Sequence, residues 1–105
     1  MLRVHARYIA LLVQLRPVLD VIERRNRGLH SQLLDALGSV SLNMSEASGN
    51  EGGTRRQRFL SSLGSLRESI AALQVAEAFG YVSTPPAIMA GLSGCVGTLV
   101  VLTRR

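Results

Sequence analysis

The sequence predicts an all-α fold, an antiparallel up-down four-helix bundle, and three observations predict it. Apolar residues recur at steps of three and four along four separate segments. Glycine or proline interrupts the chain between those segments, at Gly28, Gly49 to Gly53, Gly80 and Pro85-Pro86. The apolar mass is Leu, Val, Ile and Ala, with aromatics at 4% and no Trp, which suits closely packed helices better than a β core. Helices joined by short turns pack antiparallel.

The first helix is expected from Arg3 to Arg25. Tyr8, Leu12, Leu15, Leu19 and Ile22 form its a/d stripe, and Val4, Leu11 and Val18 lie beside it. Pro17 removes one backbone bond, but the stripe continues through it in phase, so a bend is expected rather than an end. Arg24, Arg25 and Arg27 crowd the C-terminal end, where cations favour the helix dipole, and Gly28 supplies a turn.

The second helix is expected from Leu29 to Ser48, with Leu29, Leu33, Leu37, Val40, Met44 and Ala47 as its stripe. A second row at the same steps, Gln32, Ala36, Ser39, Asn43 and Glu46, gives this helix a small or polar shoulder. Residues 49–53, GNEGG, then break it, because each Gly costs about 1 kcal/mol in a helix relative to Ala. Thr54 with Gln57 reads as a capping box for a third helix reaching Phe79. Phe59, Leu63, Leu66, Ile70 and Leu73 are its core face, flanked by small residues at Ser62, Ser65, Ser69, Ala72 and Ala76. Gly80 fits the position that closes such a helix.

Ser83 or Thr84 caps a fourth helix with Pro85 near its first position. Ile88, Leu92, Cys95, Leu99 and Leu102 form its stripe. Three internal glycines make it intrinsically poor, so packing must hold it. Apolar residues on the first and fourth helices exceed what one bundle needs; the surplus on Val4, Leu11, Val18, Val100 and Val101 predicts a second buried surface and a homo-oligomer.

With 105 residues the whole chain, 1–105, reads as one domain. It is long enough to bury about 65% of its unfolded surface in a single core. One cysteine, Cys95, excludes an internal disulfide and any multi-cysteine zinc site; it reads as a small buried hydrophobe in a cytoplasmic protein. No secretory leader is read, since Arg16 and Pro17 end the first apolar run without a cleavage site. The uncharged stretch after Glu77 is cut by Pro85 and Pro86 to roughly 17 residues, the lower limit for a span, so a buried bundle helix is expected there and no membrane partner.

No catalytic residue, metal ligand or cofactor site is expected. A di-iron bundle needs Glu-x-x-His pairs, and His5 and His30 have none; both read as surface or partly buried. The glycine-rich turn follows a helix and lacks the Gly-Lys-Ser/Thr ending of a phosphate loop. Asn43 and Glu46 lie at the edge of the second helix's stripe, within reach of Ser65, Glu68 or an arginine on the third. They predict a buried polar clasp that fixes helix register.

All twelve basic residues are Arg, the net charge is +5, and guanidinium binds phosphate bidentately. Arg55, Arg56 and Arg58 open the third helix, where the dipole is also positive, which makes them the first candidates for nucleic-acid contact. Arg24, Arg25 and Arg27 form a second candidate cluster at the opposite end. The function expected first is nevertheless a non-enzymatic, oligomeric protein-interaction scaffold that docks a protein partner through apolar helix faces, the arginines serving solubility or intersubunit ion pairs; nucleic-acid binding through the arginine clusters is the alternative.

Residues 29–81 carry a pattern: Gln32-Leu33, Ser39-Val40 and Asn43-x-x-Glu46-Ala47, then Arg56, Phe59-Leu60, Gly64-Ser65-Leu66 and Glu68, closing on Leu73, Ala76 and Gly80-Tyr81. This half of the chain resembles the small four-helix-bundle proteins encoded in intervening sequences of bacterial 23S ribosomal RNA genes. The glycine-rich turn departs from the family's more charged loop. The resemblance implies a bundle assembled as a ring, a pentamer. A related bundle, the accessory variability determinant of diversity-generating retroelements, works with a reverse transcriptase and binds nucleic acid, which extends the expectation to RNA or DNA.

Overall fold

The computed structural model describes all 105 residues. It contains four helices and no strand: α1 (Arg3–Arg25), α2 (Arg27–Ser48), α3 (Gly52–Ala78) and α4 (Pro86–Thr103). The molecule measures 42 × 25 × 20 Å with a radius of gyration of 13.7 Å. A globular chain of this length has a radius of gyration of about 13 Å, so the form is slightly elongated along the helices.

Each helix packs on two others, α1 on α2 and α4, and α3 on α2 and α4. The contacts set the order along each pair. His5 and Tyr8 of α1 reach Ser41 and Leu37 of α2, and Leu11 and Arg7 lie over Gly91 and Gly94 of α4. Ser65 and Arg58 of α3 reach Ser39 and Glu46 of α2, while Arg56 reaches Thr103 of α4. In the α1–α2, α1–α4 and α2–α3 pairs the residue number falls on one helix as it rises on the other.

One cluster of 20 buried residues forms the core, with Tyr8, Phe59, Leu15, Ile22, Leu33 and Met44 among its largest fully buried members. The α2 stripe is buried from Leu33 to Ala47, with Leu29 half-buried. The α1 stripe is rotated from its expected phase. Val4, Tyr8, Leu11, Leu15, Val18 and Ile22 face inward, and Leu12 and Leu19 are only half-buried. The cause sits on α4: Gly91 has no Cβ, and one built there would lie 2.6 Å from Leu11 Cδ2. Leu11 therefore packs where a larger residue would stand, and the α4-facing edge of α1 turns into the core. Val4, Leu11 and Val18 thus belong to the chain's own core and form no second surface. The exposed large apolar residues inside helices are Ile9, Val13, Leu34, Leu42, Val75 and Val101.

The ends correct several expectations. Gly28 lies inside α2, and Asn26 makes the break; its extended backbone ends α1 while its Oδ1 accepts from Leu29 N at 3.0 Å. Thr54 and Gln57 form no capping box, because α3 starts at Gly52, whose φ of +62° only glycine adopts readily, with Glu51 at the cap position. Neither Ser83 nor Thr84 caps α4. Pro85 stands at the cap, Pro86 is the first helical residue, and Thr84 Oγ1 is buried without a partner. The end of α3 closes as expected: Gly80 takes φ +73°, its N–H donates to Glu77 O, and Tyr81 N–H donates to Ala76 O. By length and composition α4 could cross a membrane; its Ile88, Leu92, Cys95 and Leu99 are buried against the other helices.

Candidate functional site

The polar shoulder of α2 meets the small row of α3 in a hydrogen-bonded seam. Ser65 Oγ donates to Ser39 Oγ at 3.0 Å, and Asn43 Nδ2 donates to Ser39 O and Oγ at 2.9 and 3.1 Å. Ser62 Oγ, fully buried, donates to Val40 O at 2.8 Å. Small side chains let the two helices approach, and their hydroxyls satisfy each other or a backbone carbonyl.

The clasp is thus Ser39, Asn43 and Ser65, and it corrects the expected set. Glu46 is exposed rather than buried, and its carboxylate pairs with Arg58 Nε at 2.8 Å. Glu68 is exposed too and bonds to nothing. It lines a groove of about 390 Å³ with Gln32, Asp35, Ala36, Ser39 and Ser65. No three His, Cys, Asp or Glu side chains converge as a metal site would require.

His5 is buried, against the expected surface or partly buried setting, and shares a hydrogen bond with Ser41 Oγ. Tyr8 is fully buried and its O–H donates to Leu37 O at 2.7 Å. Burial pushes the Tyr8 phenol well above its usual range. It raises the Cys95 thiol as well, with Arg7 nearby opposing the shift. A thiol so placed is a poor nucleophile. His30 is half-buried, 3.6 Å from Glu23.

The three arginines that open α3 point in different directions. Arg55 stacks over Phe59 at 4.6 Å. Arg56 Nε donates to Thr103 O at 2.9 Å, satisfying a carbonyl that the end of α4 leaves open. Arg58 binds Glu46, with Asn43 Oδ1 at 3.5 Å. At the other end Arg25 lies over Tyr81 at 5.2 Å, while Arg24 and Arg27 are exposed.

The two ends are not equivalent, which the sequence reading of two similar clusters missed. The starts of α1 and α3 and the ends of α2 and α4 share one end of the molecule. That end holds Arg3, Arg55, Arg56, Arg58, Arg104 and Arg105 against Glu46 and Glu51, while Arg7 lies further in, over Gly94 midway along α4. Six arginines against two acids give +4 of the net +5, and the other six arginines stand with the remaining five acids. Only Arg58 among the twelve is in an ion pair. Arg3, Arg104 and Arg105 are exposed, and their side chains make no hydrogen bond. The sequence signal was available, namely arginines near both chain termini, but it becomes a patch only when alternate helix ends meet. No family model matches the chain, and comparison finds no similar curated protein and no similar solved structure.

Proposed function

We propose that this chain is a non-enzymatic nucleic-acid-binding accessory protein, an antiparallel up-down four-helix bundle that grips a phosphate backbone with one basic end. The observation that carries this reading is the gathering of +4 of the net charge of +5 at that end. Exposed guanidinium groups there provide sequence-independent attraction and release counterions from the polyanion. No exposed aromatic residue lies among these arginines, so backbone contact rather than base stacking is the mode. α4 belongs to the bundle in this reading and not to a bilayer.

Arg3, Arg104 and Arg105 are the main contacts, because Arg55, Arg56 and Arg58 already serve an aromatic ring, a helix end and a carboxylate. The test is a titration of labelled RNA and DNA oligonucleotides across about 50 to 200 mM salt. Replacing Arg3, Arg104 and Arg105 by Ala should reduce the salt slope by about 2–3, since each lost phosphate contact removes about 0.7–0.9. Replacing Arg24 and Arg27 should leave it unchanged. No binding at low salt, or equal losses from both ends, refutes the proposal.

A second reading, the protein-interaction scaffold, is favoured by the exposed Ile9, Val13, Leu34 and Leu42 on α1 and α2. Self-association belongs to it, and a five-membered ring would repeat the basic end around one axis.

A further inference from the structure

We infer that the outward face of α2 is the contact surface for a second copy of this chain, crossed antiparallel at Gly38. The inference rests on the self-association part of the scaffold reading and is independent of nucleic-acid binding.

Leu34 and Leu42 are the two exposed leucines of the molecule, 44% and 68% accessible. They stand four residues either side of Gly38, which is exposed too. One full turn and a little more separates each from the glycine, so all three lie along one ridge. A Cβ built on Gly38 meets nothing within 4 Å. The folded chain therefore gains nothing from a glycine there, although glycine is the poorest helix former after proline. What the glycine provides is a gap between two leucines. With the α3 side of the helix it opens a shallow groove of about 440 Å³ that includes Leu34, Gly38 and Leu42 in its wall. Glycine at such a crossing lets a second helix approach closely.

The face is also self-complementary. A two-fold axis through Gly38 brings Leu34 of one copy beside Leu42 of the other, and Ser31 beside Ser45. It sets Asp35 opposite Ser41 and so keeps the two aspartates apart. Charge selects the antiparallel sense. Each molecule carries most of its net charge at one end, so a parallel pair would bring two such ends together, whereas the antiparallel pair holds them at opposite extremes. α2 lies beside α1 at this level, through Tyr8 and Leu37, and Ile9 and Val13 of α1 are exposed as well. A face ~33 Å long by ~20 Å wide offers about 600–700 Å² per copy, within the range of a specific dimer.

Other occupants fit less well. The ridge has no aromatic residue and only two leucines, too little for a lipid surface, and the groove beside it carries Asp35 and Glu46 against a single arginine, Arg58, which Glu46 already pairs, so it does not attract a polyanion. A two-fold contact closes on two copies, so a five-fold ring would need a further surface.

The experiment combines sedimentation equilibrium with cysteine cross-linking. The full chain should sediment as a dimer at micromolar concentration. Leu42→Glu should weaken association about a hundredfold while leaving the helical circular dichroism unchanged, because Leu42 is exposed. In a Cys95→Ala background, G38C should form a disulfide-linked dimer rapidly under mild oxidation, since a two-fold axis through residue 38 brings the pair within bonding distance; S93C on α4 should not. A monomer at all concentrations would overturn both this inference and self-association. An oligomer that Leu42→Glu leaves intact, or a pentamer without G38C cross-linking, would overturn this face alone.

Discussion

Two glycines of α4 offer the sharpest check on the packing. Gly91 and Gly97 lie in the same helix, and the same substitution should move them in opposite directions. Gly97 is exposed, and a Cβ there meets nothing within 4 Å. Gly97→Ala therefore gains only helix propensity, about 1 kcal/mol. For a chain of this length the unfolding entropy is about 0.2 kcal/mol per kelvin, so Tm should rise by about 4–5 °C. At Gly91 the same propensity gain is opposed by a Cβ placed 2.6 Å from Leu11 Cδ2 and 3.1 Å from Cδ1. Leu11 is itself buried and cannot swing into solvent without leaving the core, so the overpacking costs about 1–3 kcal/mol. The net effect is a loss of about 0–2 kcal/mol and a Tm lower by up to about 9 °C. Propensity cancels between the two variants, so their difference isolates the clash. Thermal unfolding followed by circular dichroism at one fixed protein concentration measures both. If Gly91→Ala is as stabilising as Gly97→Ala, α1 and α4 do not meet at Leu11, and the account of the rotated α1 stripe fails with it.

Glu46→Ala should cost about 0–1 kcal/mol in chemical denaturation, the range of an exposed ion pair, because Glu46 and Arg58 are both about half accessible; a loss above about 2 kcal/mol would mean that Glu46 is buried after all. Stability should fall as pH rises past 9 and 10, the ordinary values of a thiol and a phenol. The sign follows from burial: Cys95 and Tyr8 are held neutral in the folded chain, so the unfolded chain loses those protons first. Each group steepens the fall by up to about 1.4 kcal/mol per pH unit above its unfolded value. Denaturation curves at stepped pH would show it, and a Tyr8→Phe variant with the same alkaline slope as the parent would exclude Tyr8 as a cause.

The parts of the fold that local spacing determines were legible. The limits of α1, the inward stripe of α2 and the glycine that closes α3 follow from periodicity and from backbone preferences that act within a few residues. The phase of α1 was not legible. Its apolar residues span a broad arc, and the choice between Leu11 and Leu12 was made by Gly91, some eighty residues away in sequence. The capping box at Thr54 and Gln57 failed for a related reason. Gly52 takes a left-handed turn that starts α3 three residues earlier, leaving the box already inside the helix. Glu46 read as buried because it directly precedes Ala47 of the α2 stripe, yet the carboxylate extends to Arg58 at the surface. The arginines were visible one by one, but the balance between the two ends depends on which helix termini meet.

That balance bears on how the two proposed surfaces coexist. The basic end and the outward face of α2 lie on different parts of the molecule, one at the helix termini and the other centred on Gly38 midway along α2. An antiparallel pair formed across α2 leaves both basic ends open, one at each extreme, because repulsion between them disfavours any arrangement that closes them off. Self-association as proposed would therefore not compete with phosphate for the arginines. It would turn one basic end into two that a single long polyanion could bridge, raising avidity without any new contact. A scaffold for a different protein would have to use what remains exposed, Val75 and Phe79 at the end of α3 and Val101 on α4. These residues stand on separate helices: Val75 has Phe79 one turn after it, and Val101 has the exposed Gly97 one turn before it, but neither place sets a glycine between two leucines as α2 does. Ile9, Val13, Leu34 and Leu42 lie on the adjacent α1 and α2, so the broader apolar face is the one proposed for a second copy.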